Sequence, residues 1–422
     1  MGSQHDSASI DVSVALAPCD LEAVPGLVGN IASLSKDLTA TEHETRLKVL
    51  ADARALVQAL ETPRETMLRH LWTNGTSTAA LAIGVETGLF VHMLQNNGAP
   101  KKVPEIAEAL GAESDLLARI MRYLASMGYI AETGINEFAP TSFSKAMAIP
   151  IIGNGYPSGC RVVIPGTLKL PEHMRECGYR PSTDTSGLSA FQLAHGTTLD
   201  CFSYIYSLPG EAEYFSQHMA ASRLGTPRWM DAGFYPVADR LIHGADDNKD
   251  SGAAFLVDVA GSTGHDINAF RQEYPDAPGR LVLQDLPKVI ATAANLGLDP
   301  KIELMEHDFF TEQPLKGART YYMHRVLHDW SDEEALRILK HIKDAMRPGY
   351  SRLLINENVI PAKSARWEMT AIDLSMLMFT GAKERTETDW RALLEKSAGL
   401  RVTGIWTGTN SLESLIECEL VS

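Results

Sequence analysis

Four polar punctuations close short apolar runs in the C-terminal half of the chain: Asp258, Asp285, Asp308 and the pair His328-Asp329. The first leads into the small-residue loop Ala260-Gly261-Ser262-Thr263-Gly264. In an open α/β sheet a ligand sits beyond the carboxyl ends of the strands. Acids repeated at successive strand ends beside a glycine turn therefore point to a nucleotide-like cofactor. Asp285 follows Asp258 by 27 residues, a spacing that places it to accept hydrogen bonds from ribose hydroxyls. A pyrophosphate would lie at the glycine turn and the helix N-terminus behind it, where negative charge is welcome. Asp258 and Asp266 flank that turn and would oppose it. A cofactor with an adenosine and a cationic, phosphate-free tail suits these charges better, and S-adenosylmethionine fits that description.

The elements that must hold these residues alternate. FLVDV precedes a helix near His265 to Tyr274, and RLVLQDLP one near Val289 to Leu296. KIELMEHDFF and RTYYMHRVLHDW follow, then the helix DEEALRILKHIKDAM, the strand SRLLINENVI, and helices around Trp367 to Met378 and in TETDWRALLEKSAGL. RVTGIWTG and LESLIECEL read as a closing antiparallel hairpin. Strands with intervening helices predict an α/β, mostly parallel, doubly wound sheet. Upstream, HETRLKVLADARALVQAL has helical spacing, and a second helical stretch from Thr66 to Leu94 reads as broken at Asn74-Gly75. The second half of that stretch is apolar almost all round and needs cover from a helical core or a second subunit. Val103 to Leu110, a turn at Gly111, a helix over Asp115 to Met127, a stop at Gly128 and two short strands make the order of a winged helix. Residues 150–250 are mostly helical with proline and glycine punctuation, and the segment from Ala190 to Arg223 is rich in Met, Phe, Tyr and His, as a core or an apolar pocket wall would be. The polar stretch from Leu241 to Gly252 marks a boundary. The expected plan is a flexible segment over 1–40, a helical and winged-helix domain over 41–150, a helical linker and pocket region over 151–250, and a cofactor domain over 251–422.

Composition narrows the classes. The 422 residues carry 53 acids against 38 bases, a formal charge of -15, which argues against a phosphate-neutralising surface. The winged helix shows only Arg119 and Arg122 on its second helix, amid Asp115 and apolar positions, so packing or dimerisation explains it better than DNA reading. Nucleic acid is not an expected partner. Cys19, Cys160, Cys177, Cys201 and Cys418 form no disulfide framework or C-x-x-C pair, and a reducing, cytoplasmic setting follows. MGSQHDSASIDVSV lacks a basic and then apolar signal pattern, no run approaches eighteen apolar residues, and the first dozen residues are expected to be loose.

DVAGSTGHD, LQDLP, MEHDFF, YYMHRVLHDWSDEEALRILKHI, INENVIP, DLSMLMFTGAKERTETDW and ESLIE resemble the small-molecule O-methyltransferases of plants and fungi, particularly the fungal secondary-metabolism branch. The resemblance runs from about Ala79 to the end. It implies a Rossmann-like methyltransferase domain behind a winged-helix dimerisation domain, and an intertwined homodimer whose partner chain can help close the substrate site. It further implies S-adenosyl-L-methionine as cofactor and no metal.

Carried onto this sequence, the family's general base matches His328, a neutral imidazole whose ordinary pKa lies near operating pH. The carboxylates that orient or polarise it match Glu357 and Glu384. Asp285, with Leu286 beside it, matches the ribose ligand, Asp308 and Phe309 the adenine side, and Asp258, Gly261 and Gly264 the glycine turn. Where plant enzymes usually carry a lysine, this chain has His324 and then Arg325, either of which could contact the cofactor's tail or fill a polar strand end. Trp330 is assigned to the adenine wall or its supporting core. Phe191, His195, Met219, Met230, Met376 and Trp406 are the substrate contacts expected for a small hydrophobic metabolite, aromatic or polyketide-derived.

The family's turn reads DVGGGxG, whereas Ala260 and Ser262 stand here for two glycines. The same branch includes relatives that use the fold for dehydration and pericyclic ring closure, so methyl transfer to a hydroxyl and a cyclase-like activity are both readings. An inactive enzyme fold serving as a regulator is a third.

Overall fold

The computed structural model of the chain describes residues 10–39, 43–180, 187–246 and 253–421. They group into two units, Met1–Arg161 with Gly210–Ser222, and Val162–Pro209 with Arg223–Ser422.

In the first unit, helix His43–Leu60 forms over the predicted span and packs on helix Val24–Leu34. That earlier helix lies in the stretch expected to be a flexible segment. It is almost wholly apolar apart from Asn30 and Ser33, so it has no polar face to mark a period. Of the dozen N-terminal residues expected to be loose, the first nine lie outside the described residues. Val12–Leu16 is a 3-10 turn capped by Asp11. The expected break at Asn74-Gly75 is absent. Pro63–Arg69, a wide π turn His70–Asn74 and Gly75–Glu86 run on as helix, with Gly75 at φ -68. The chain turns instead at Gly88, φ 74, a left-handed conformation that glycine adopts without penalty. Leu81, Leu89, Phe90 and Met93 are buried here, whereas Leu71 and Trp72 stand 73% and 66% exposed.

The winged helix is present. Helices Val103–Leu110 and Ser114–Ser126 are separated by Gly111 at φ 65 and followed by a three-stranded antiparallel sheet. Its strands are β1 (Lys101–Lys102), β2 (Ile130–Gly134) and β3 (Glu137–Pro140), in the order β1-β3-β2. Ile106, Met121, Leu124, Ile130 and Phe138 form its core. Arg119 and Arg122 are exposed, and Arg122 turns back to donate to the Ala118 carbonyl.

The second unit is built on seven strands: β4 (Ala254–Val259), β5 (Arg280–Asp285), β6 (Ile302–Glu306), β7 (Thr320–His324), β8 (Arg352–Glu357), β9 (Leu400–Thr407) and β10 (Ser414–Leu420). They lie in the order β6-β5-β4-β7-β8-β10-β9. The first five are parallel, and β10 inserts antiparallel between β8 and β9 as the predicted edge hairpin. β4 is buried at every residue, as a central parallel strand covered on both faces must be. Strand order reverses at β4, with β5 on one side and β7 on the other, so the crevice opens where Ala260 to Gly264 leave the sheet. Among the described residues no single helix is long and apolar enough to cross a membrane; Pro63–Glu86 and Leu89–Gly98 together meet that length but are bent by 65°. All five cysteines are free.

Candidate active site

The glycine turn is shaped by two contacts. A Cβ at Gly261 would sit 2.4 Å from Asp258 Cγ, and one at Gly264, φ 82, would sit 2.9 Å from Leu298. Ala260 and Ser262 adopt φ 58 and 54, so both replacements for glycine occupy left-handed backbone. The turn is tied to β5: the Gly261 amide donates to the Gln284 carbonyl at 3.2 Å and the Ser262 amide to Asp285 Oδ2 at 2.8 Å. Asp285 Oδ1 accepts from the Leu286 amide at 2.7 Å. Each oxygen keeps a lone pair for a ribose hydroxyl. Burial pushes the Asp285 pKa up, against those two amides.

Asp258 is buried with no partner on either carboxylate oxygen. Burial, joined by repulsion from Asp266, raises its pKa well above the usual range. Burial pushes Asp266 up as well, but His324 more than offsets this and keeps it ionised. His324 Nδ1 lies 2.5 Å from Asp266 Oδ2, and Nε2 lies 3.0 Å from Glu413 Oε2. Arg325 Nε donates to the other oxygen of Glu413 at 2.5 Å. Burial pulls the His324 pKa down, yet Glu413 and Asp266 raise it overall to about 9. Of the two acids that flank the turn, Asp266 is paired with His324 and Asp258 is buried with its pKa raised, which corrects the charge tally made from sequence. Both ring nitrogens of His324 are committed to carboxylates. Glu413, at the head of β10, went unnoticed in the sequence because it lies 89 residues from His324.

Phe309 and Phe310 form an aromatic group with Trp330, with centroids 5.9 and 4.8 Å from the Trp330 ring in edge-on geometry. Asp308 is exposed at the head of that loop and accepts from the Phe310 amide. Asp285 closes β5, Asp308 and Phe309 follow β6, and Trp330 follows the turn after β7, all on the carboxyl side of the parallel strands.

His328 sits in the short turn Leu327–Asp329 that follows β7. Arg325, at φ 51, bends the chain out of the strand into it. Ser331 and Glu334 make a capping box that starts helix Asp332–Ala345 and fixes the far side of the turn. His328 Nδ1 lies 2.8 Å from Glu384 Oε1 and 3.7 Å from Glu357 Oε2. Glu357, at the end of β8, accepts from the Val326 and Leu327 amides at 3.0 and 2.9 Å. The Glu384 amide donates to Asp373 of helix Trp367–Phe379 at 2.8 Å. An ionised carboxylate only accepts, so the Nδ1 proton belongs to the bond with Glu384 and Nε2 is left for chemistry.

Burial pulls the His328 pKa down, but Glu357, Asp329 and Glu384 outweigh it and raise it to about 10. The imidazole is therefore held charged near neutrality, where the sequence reading takes it as neutral. Asp329, 3.7 Å from Nε2, is pushed up to about 6 by burial, with His328 acting the other way.

Donor atoms of His328, Glu357 and Glu384 lie within 4.8 Å of one another, close enough to hold a metal ion. Here Nδ1 is instead engaged with Glu384, and Glu357 Oε1 with two backbone amides.

Of the expected substrate contacts, Phe191 and His195 form an aromatic group with Tyr204 and with Phe379, whose ring is 5.5 Å from Phe191. Phe379 and Met376 belong to the helix whose Asp373 holds Glu384, and Met376 shares the face of Asp373, three residues on. Met230 and Trp406 pack in the core cluster with Trp229, Tyr235 and Phe270, and the structure does not gather them with this group. Met219 belongs to the first unit.

Residues 182–401 match the model of the O-methyltransferase domain, and residues 70–148 that of the O-methyltransferase dimerisation domain. The O-methyltransferase mpaG of Penicillium brevicompactum is 36% identical over 93% of this chain and 98% of its own length. A solved structure described as a pericyclic reaction enzyme superposes with a TM-score of 0.81 at 30% identity, covering 95% of this chain and all of that one. The structure of LepI in complex with S-adenosylmethionine superposes with a TM-score of 0.82 at 30% identity, over 95% and 99% of the two chains.

Proposed function

Because the chain belongs to the O-methyltransferase family, with S-adenosyl-L-methionine as its cofactor and a small metabolite as its substrate, we propose that it methylates a hydroxyl of a hydrophobic aromatic or polyketide-derived compound, with His328 as general base. The observation that carries this reading is the buried His328–Glu384 bond, which leaves Nε2 free to meet an acceptor. Asp285 and Leu286 hold the ribose, Asp308, Phe309 and Trp330 the adenine, and the turn through Gly261 and Gly264 the cofactor's tail beside buried Asp258. Asp258 has two orphaned oxygens, which fits a polar group placed over it.

When bound, the cofactor supplies an electrophilic sulfonium methyl and a positive charge that disfavours a second cation at His328. The neutral imidazole then takes the acceptor's proton at Nε2. Glu384 and Glu357 stabilise the resulting imidazolium without moving, as a preorganised site should. Phe191, His195 and Met376 orient the acceptor, and the main gain comes from proximity. The dimerisation region makes an intertwined homodimer of the chain.

A second reading has its own support. The His328 imidazolium can donate a hydrogen bond from Nε2 to a carbonyl or departing hydroxyl, which suits dehydration and pericyclic closure, and a pericyclic enzyme shares the fold over almost the whole chain. The two readings part in a structure with the pathway intermediate. Methyl transfer requires an acceptor hydroxyl within hydrogen-bond reach of Nε2, whereas an intermediate with no hydroxyl there would overturn it.

A further inference from the structure

Arg385 directly follows Glu384 and is 1% exposed. Its guanidinium spans the turn that carries His328: Nη1 donates to the Leu327 carbonyl at 2.6 Å, Nη2 to the Trp330 carbonyl at 2.9 Å, and Nε to Asp332 Oδ1 at 2.9 Å. The two carbonyls bracket His328, one residue before it and two after. The main-chain carbonyl of Arg385 also accepts from the Ile360 amide at 3.1 Å, just beyond Glu357, and Thr386 bridges to Ile360. The Trp390 ring lies 5.1 Å from the guanidinium carbon.

We propose that Arg385 is a positioning residue that sets the His328–Glu384 geometry by clamping the His328 turn to the segment that delivers Glu384. This rests on the reading of His328 as the group that handles the acceptor's proton.

The chemistry of the clamp explains the residue type. A buried cation is costly unless its donors are satisfied and its charge is paired. Asp332 pairs it, and two carbonyls take its remaining directions. A planar fork reaches three acceptors in fixed directions at once, whereas an ammonium is a point charge on a flexible stem. Lysine at this position keeps the charge and loses the fork, which separates positioning from electrostatics. Removing a cation near His328 would raise its pKa, while loosening Glu384 would lower it.

The test compares wild-type protein with Arg385→Lys. It follows the His328 ring nitrogens and the Nδ1 proton by NMR across pH in cofactor-free protein, then kcat and KM for methyl transfer. The prediction for folded Arg385→Lys is a His328 pKa shifted down toward that of an ordinary imidazole, faster solvent exchange of the Nδ1 proton, and kcat reduced by about ten- to a hundredfold with KM little changed. An unchanged Nδ1 proton and titration in that folded variant would overturn the proposal. Should Arg385→Lys fail to fold, Asp332→Asn, at the exposed end of the clamp, takes its place. Faster Nδ1 exchange there supports the clamp, and unchanged exchange overturns it. The NMR readout needs no turnover, so a wild-type enzyme that transfers no methyl group would fail the functional reading alone.

Discussion

His328 Nδ1 lies 2.8 Å from Glu384 Oε1, and both residues are buried although 56 positions separate them. That contact fixes the tautomer of the imidazole and leaves Nε2 as its reactive nitrogen. His328→Asn is therefore expected to lower the methyl-transfer rate by about 10²- to 10⁴-fold, with cofactor affinity close to wild type. Glu384→Gln, which keeps the shape and removes the charge, should have a smaller effect and move the His328 pKa down. Rapid-quench kinetics alongside calorimetric cofactor binding checks both.

The same contact has a signature in stability. The folded pKa of His328 is raised above the ordinary 6.5, to about 10. Its contribution is thus fully present below the unfolded value and is lost as pH rises through about 10. Melting temperatures of cofactor-free wild type and His328→Asn should differ most below about pH 6.5, and the gap should shrink as pH rises toward 10. A gap that widened with rising pH would show that the imidazole is not held charged.

Ser262 and Ala260 test the turn. Left-handed backbone costs a residue with a Cβ about 1–2 kcal/mol, and glycine loses about 0.5–1 kcal/mol in chain entropy. Ser262 is exposed, so Ser262→Gly is expected to stabilise by up to about 1 kcal/mol. Ala260 is half-buried against the core, and losing its methyl costs about 0.8 kcal/mol, so Ala260→Gly should be close to neutral. Urea denaturation distinguishes the two.

Much of this plan was legible in the sequence, and the reasons differ by element. β4, β5 and β7 announce themselves as apolar runs closed by polar residues, and the winged helix through Gly111 and Gly128. The pairings were not legible. Nothing in local periodicity tells that Glu413 meets His324 or that Arg385 reaches back to Leu327, because such contacts are made by the sheet order and not by neighbours in the chain. Electrostatic environments were hidden for the same reason: the burial that pushes the Asp258 pKa up is made by the sheet and not by neighbours in the chain. The apparent break at Asn74-Gly75 was a local signal overruled by a continuous helix with a π turn.

Asp285 makes the next prediction. Its carboxylate braces the glycine turn through the Ser262 amide, and in the proposed function it also binds the ribose. Hydrogen bonds to a charged group are worth about 1.5–3 kcal/mol, so Asp285→Ala should weaken cofactor binding by about ten- to a hundredfold or more. Titration calorimetry with the demethylated cofactor, S-adenosylhomocysteine, measures this without turnover.

Chelation gives a simple control on the His328, Glu357 and Glu384 group. His328 Nδ1 is bonded to Glu384 Oε1 and Glu357 Oε1 to two backbone amides, so dialysis against a strong chelator should leave activity unchanged. Loss of activity restored by one divalent cation would assign the trio to a metal.

The most direct measurement follows a methyl-labelled cofactor during incubation of the purified protein with its pathway intermediate and related hydroxyl compounds. The account predicts label on an oxygen of the product, formed at a rate that His328→Asn reduces by about two orders of magnitude or more. Cofactor bound with its label retained, while the unmethylated intermediate cyclises faster than in buffer, would contradict it.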